Sequence, residues 1–151
     1  SATNSSTSFN TSSDYRLKEN VTYDWDATTR LKQLKPARFN WIKDETNTLV
    51  DGFIAHEVTA VPEAISGTKD ATETKSNVVL DSSGNMLHHS ITEAEWTAGK
   101  AETPPKYPTD STWQASKEFI VPQQIDQSKL VPLLVKTVQE LEARIKTLEE
   151  A

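Results

Sequence analysis

Val131, Leu134, Val138, Leu141, Ile145 and Leu148 recur at alternating steps of three and four residues, with polar residues filling most of the gaps. This is the a/d pattern of a heptad, and it predicts a helix over residues 128–150 with one narrow apolar stripe. Ser128 is placed to cap its start, and Pro132 falls in the first turn, where its missing N–H is tolerated. Arg144 and Glu149 take g and e positions, from which they can pair between parallel helices. Two arrangements satisfy such a stripe: a seam between copies of the chain, or the core face of a helix packed on its own domain. The two-per-seven width favours self-association. Val and Ile at a with Leu at d would, by the simple rule, give two strands.

The 151 residues suffice for one domain with a real core, yet only 35% are hydrophobic and the mean hydropathy is −0.60. A core that small is often supplemented by association with other chains. A net charge of −6 and the lack of a dense Lys/Arg patch argue against nucleic acid as a partner. Without cysteine there is no disulfide, thiolate metal site or Cys nucleophile, which fits a reducing compartment. No apolar run reaches the length of a membrane span, so no membrane partner is expected. Residues 1–12 are almost all Ser, Thr, Asn and Ala and read as a linker or the end of an upstream protein; residues 13–151 read as the domain.

Along the chain, Asp26 is placed to cap a short helix over 27–34 that Pro36 ends. Residues 37–42 alternate as a strand with Phe39 and Trp41 on one face, Asp44–Asn47 form a turn, and 49–55 form a returning strand. Residues 56–61 suit one or two helical turns before Pro62. From 67 to 116 the sequence is polar, Pro-containing and poor in periodic apolar runs. Within it a small hairpin is expected from 77–80 and 86–89, and one short helix over 92–98. So long an insertion is functional or ordered by a partner, and Trp96, Tyr107 and Trp113 are expected to pack on something, such as a neighbouring subunit. The fold class expected is α+β: a small mixed domain with β-hairpins, a long arm-like insertion and a C-terminal helix.

His56-Glu57 opens like a zinc-protease helix, but Ala60 stands where the second histidine is needed. His88-His89 lacks further ligands at a convincing spacing, and four glycines supply no phosphate loop. No metal and no cofactor are expected. Three Asn-x-Ser/Thr triplets, at Asn4, Asn10 and Asn20, matter only in a secreted protein. Ser13 and Lys18 remain, on the border between the polar leader and the domain. A serine hydroxyl needs a base to become a nucleophile, and a lysine serves where burial or a nearby cation favours its neutral amine. Arg16 is close enough in sequence to be that cation. Attack of Ser13 on the carbonyl of Ser12 would move the acyl group from nitrogen to oxygen, and water would then break the ester. Asp14, Arg16 and Lys18 equally suit the charges at a strand or helix entry.

Four blocks carry a family resemblance: Ser13-Asp14-Tyr15-Arg16-Leu17-Lys18-Glu19-Asn20-Val21; Leu34-Lys35-Pro36-Ala37-Arg38-Phe39-Asn40-Trp41; Gly52-Phe53-Ile54-Ala55-His56-Glu57-Val58 with Pro62-Glu63-Ala64; and Ser128–Leu134 running to Gln139-Glu140-Leu141. In this order they resemble the self-cleaving intramolecular chaperone domain of phage tailspikes, tail fibres and neck appendages, the peptidase S74 class, with relatives in membrane-tethered transcription factors of animals. The resemblance implies a homotrimer held partly by the C-terminal helices, against the two-strand rule. It implies that the domain assists folding of an upstream fibre, of which residues 1–12 would be the tail, inside the host cytoplasm during virion assembly. It further implies release by a cut between Ser12 and Ser13, with Ser13 as nucleophile, Lys18 as base, and Asp14 and Arg16 in support. Residues 67–116 are the candidate for the arm with which such domains embrace the fibre.

Overall fold

The computed structural model describes residues 13–151. These residues form a mixed α/β fold with three α-helices, α1 (Ala27–Leu31), α2 (Glu93–Ala101) and α3 (Val131–Glu149). Seven strands, β1 (Ala37–Phe39), β2 (Val50–Gly52), β3 (Ile65–Ser66), β4 (Thr72–Leu80), β5 (Met86–His88), β6 (Thr112–Ile120) and β7 (Gln124–Ile125), pair antiparallel in three small sheets. The expected first hairpin is present as β1–β2, with Ala37 opposite Gly52 and Phe39 opposite Val50. Phe39 and Trp41 meet edge to face at 5.3 Å, as their alternation requires.

The core lies between α1, the start of α3 and the short turns that join them. Ala27, Val58, Ala60, Val61, Ala64, Leu130 and Leu133 are buried together, ringed by Trp25, Leu31, Leu34, Phe53, Ile65 and Ile125. Asp26 caps α1 as expected, accepting the Thr29 N–H at 3.0 Å. Arg30 ties the far side of α1 to this core, donating to the Ala60 carbonyl at 2.7 Å.

The start of α3 differs from expectation. Asp126, not Ser128, is the capping residue: its carboxylate accepts the Ser128 N–H at 3.0 Å and begins a 3-10 turn over Gln127–Leu130, after which the α-helix continues from Val131. Ser128 also donates its hydroxyl to Asp126, so it is a partner of the cap. A serine and an aspartate two residues apart both fit the pattern of a cap, and the carboxylate, the stronger acceptor, takes the amide.

The insertion is more ordered than its composition suggests. The chain leaves through β3 and returns through β7, which pair with each other (Ile65 with Ile125, Ser66 with Gln124) and so close its base. Between them β4 and β6 run as a nine-residue ribbon, Thr72 opposite Ile120 through Leu80 opposite Thr112. The expected small hairpin is β4–β5 around an Asp81–Asn85 turn, in which the Asp81 carboxylate accepts the Ser83 and Asn85 N–H groups. Strand β6 gave no clear sequence signal because the face with half-buried Trp113, Lys117 and Phe119 also carries exposed Ala115 and is not continuously apolar, while Gln114, Ser116 and Glu118 face solvent on the other. Helix α2 is announced by Thr92, which accepts the Glu95 N–H while Glu95 accepts the Thr92 N–H at 2.8 Å, a capping box.

The insertion's aromatic residues pack within the chain rather than waiting for a neighbour. Tyr107 is buried with Val78, Val79 and Leu80; Trp96 donates to Ser111 Oγ at 3.1 Å, and Trp113 to the Ile91 carbonyl at 2.7 Å. Gly99 makes room for Tyr107: a Cβ there would stand 2.5 Å from the ring. Gly99→Ala is therefore expected to destabilise the fold by about 1–3 kcal/mol, since overpacking forces side chains off their minima. Thermal unfolding followed by circular dichroism checks this; an unchanged midpoint would refute it.

Candidate active site

The chain from Ser13 to Lys18 folds on itself. Asp14 caps a 3-10 turn over Tyr15–Leu17, accepting the Arg16 N–H at 2.9 Å, and the Lys18 N–H closes the turn on the Tyr15 carbonyl at 3.1 Å. This single turn carries Lys18 back over Ser13. Its Nζ lies 2.7 Å from Ser13 Oγ and 3.1 Å from the Ser13 carbonyl oxygen. The separation is within reach of a direct proton transfer. Both side chains are exposed. Ser12, which would carry the attacked carbonyl, lies outside the described residues.

Asp14 and Arg16 act on the turn. The Arg16 guanidinium grips the Asp14 carboxylate with two hydrogen bonds, at 3.0 and 2.7 Å. This pairing holds the Asp14 carboxyl below its ordinary range and raises the already high pKa of Arg16. The guanidinium is thus committed to Asp14, and the charge that the sequence offers as a bias on Lys18 instead steadies the cap that sets the Ser13–Lys18 distance.

Helix α3 presents two faces. Leu133 and Thr137 are buried against the domain, while Val131, Leu134, Val138, Leu141, Ile145 and Leu148 all point to solvent, Val138 being 65% and Leu148 76% exposed. The heptad stripe is therefore not the core stripe of this chain. Sequence reasoning missed the polar part of the inner face. Glu140 accepts the Ala27 and Thr28 N–H groups, each at 2.8 Å, and the Thr28 hydroxyl. With Asp26 it satisfies the start of α1. One turn earlier, Lys136 donates to the Tyr23 carbonyl at 3.0 Å. A charged residue between two apolar heptad positions reads as solvated, and nothing in the sequence pairs Glu140 with a helix over a hundred residues away.

The Ala27 amide foremost, then the Thr28 hydroxyl, hold the Glu140 carboxyl below its ordinary value of 4.5. Its contribution to stability is complete above pH 4.5 and is lost as falling pH protonates the acceptor. The difference in unfolding midpoint between wild type and Glu140→Gln should therefore be full at pH 7 and fade as the pH falls below 4.5. A difference that stays constant over this range would contradict the assignment.

Among the described residues no group of three or more His, Asp or Glu stands ready to hold a metal, and no helix is long and apolar enough to cross a membrane. His88 packs edge to face on Tyr107 at 5.5 Å, His89 contacts Ser90 Oγ at 3.0 Å, and Glu57 pairs with Lys35 at 3.5 Å.

A serine and a lysine in contact on a capped turn, at the edge of a small mixed domain, define in class terms a candidate for peptide-bond chemistry on its own chain. Residues 13–66, about a third of the chain, match the Peptidase_S74 family model, described as the chaperone of endosialidase. The match takes in three of the four blocks that carry the resemblance and ends before the insertion and α3. The family is a chaperone family with a peptidase designation. No curated protein matches the chain.

Proposed function

We propose that residues 13–151 form an intramolecular chaperone that drives trimerisation and folding of an upstream phage tail fibre or tailspike, then releases itself by cutting between Ser12 and Ser13. The observation that carries this reading is the 2.7 Å contact between Lys18 Nζ and Ser13 Oγ, at the first residue of the family match. In its neutral form the Lys18 amine takes the Ser13 hydroxyl proton, and Oγ attacks the Ser12 carbonyl carbon. The C–N bond breaks as the Ser13 nitrogen leaves with a proton, giving an ester. Water hydrolyses the ester to a Ser12 carboxylate and a free Ser13 amine and hydroxyl.

Assembly supplies the control. In a single chain the pair is open to water; burial by neighbouring copies would exclude that water and favour a neutral amine. The exposed seam of α3 supports such an assembly, three chains in the family reading. The folded insertion 67–116 is the proposed grip on the fibre. The partners are then the chain itself and its upstream passenger, with neither nucleic acid nor membrane, and the setting is the host cytoplasm during virion assembly.

A second reading, a trimerising tip that never cuts and whose arm binds a receptor, is favoured by the exposure of both Ser13 and Lys18. Mass spectrometry of the full-length fibre separates them: two fragments meeting at Ser13 support release, and one intact mass supports the tip.

A further inference from the structure

Among the described residues, every hydrogen bond made by residues 13–22 stays within residues 13–24: Asp14 with Arg16, Lys18 with Ser13 and Tyr15, Leu17 with Asp14, and the Thr22 hydroxyl with the Asp24 N–H. Tyr15, Leu17, Val21 and Tyr23 are all exposed. The peptide that carries the Ser13–Lys18 pair is therefore a self-contained turn on a leash. The leash is first fixed to the domain at Tyr23, by Lys136, and then at Ala27 and Thr28, by Glu140.

Lys136 and Glu140 stand one helical turn apart on α3 and so share a face. The cation holds a carbonyl and the anion holds two amides, so each charge meets the backbone group of opposite polarity. Tyr23 follows Lys18 by five steps along the chain, which confines Lys18 to within roughly 18 Å of this anchor. On the other side of the same helix lies the apolar seam.

We infer that Lys136 and Glu140 are positioning residues for self-cleavage: they fix the Ser13–Lys18 peptide at one place relative to the α3 seam, so that copies docking on the seam find the pair where they can cover it. This rests on the cutting reading above. It assigns to α3 two separable roles, assembly through the a/d stripe and placement of the site through the polar inner face.

The test uses the full chain with its passenger. Glu140→Ala should leave the subunit number unchanged, speed amide exchange at Ala27 and Thr28 at least tenfold, and slow release at least tenfold. Lys136→Met should act in the same direction but less, because it frees one carbonyl only. Phe39→Ala, which removes the Phe39–Trp41 contact of the β1–β2 hairpin and touches neither anchor nor the insertion, is the stability control and should leave both readouts near wild type. Unchanged exchange at Ala27 and Thr28 in Glu140→Ala would overturn the inference, as would release slowed equally by Phe39→Ala. If the wild type does not cut at all, the cutting reading fails, and amide exchange alone decides whether the clamp exists.

Discussion

Ser13→Ala should abolish release of the C-terminal piece while the chain still folds and assembles. The hydroxyl is solvent-exposed and its described contact is with Lys18, so removing it costs the fold almost nothing. Its loss removes the only atom of that residue able to take the acyl group, and the rate should fall on the order of 10³-fold or more. Lys18→Arg sharpens the test. Arginine can still reach Ser13, but its guanidinium does not give up a proton, so it keeps the contact and loses the base. Release should fail in both variants, read on a gel or by mass with the passenger attached. Normal cleavage in Ser13→Ala would remove the nucleophile from the scheme, and normal cleavage in Lys18→Arg would remove the base.

Leu141→Asp or Ile145→Asp should dissolve the proposed trimer without unfolding the protomer. Both side chains point away from the domain core, which Leu130 and Leu133 fill from the opposite face. Removing a buried leucine from a seam costs about 1.5–3 kcal/mol per copy, and symmetry applies that cost once for each chain. The carboxylates would also be brought together in a low-dielectric seam, which adds repulsion and desolvation. Light scattering should report single chains with an unaltered circular dichroism spectrum. Three chains in solution would exclude the seam.

What could be read from the sequence depended on whether a contact was local. Asp26 and Thr92 announce their helices because a cap is made within three residues, and the hairpin over 37–52 follows from alternation and a polar turn. The Ser13–Lys18 contact was legible for the same reason: one turn closes it. Strand β6 was not, because Ala115 and Lys117 interrupt its half-buried face, and its pairing partner lies some forty residues back across a folded helix. Glu140 was not, because its partners are backbone amides, which look alike at every position. The heptad stripe was visible, yet its direction was not; only the burial of Leu133 and Thr137 on the other face tells which side of α3 is spoken for.

Helix α3 is held by its own domain on one side while it offers a ridge on the other, and this makes it a gauge of alignment. A free coiled coil can slide by one heptad and recover equivalent contacts; at 1.5 Å per residue that slip is about 10 Å. Here the ridge cannot slip alone, because Leu133 and Glu140 bind it to α1 and the core of the same chain. In the proposed trimer, an offset between neighbours would have to carry whole domains with it. The stagger of the three polypeptides entering from upstream would then be set to zero at this end, before any strand of the fibre has paired.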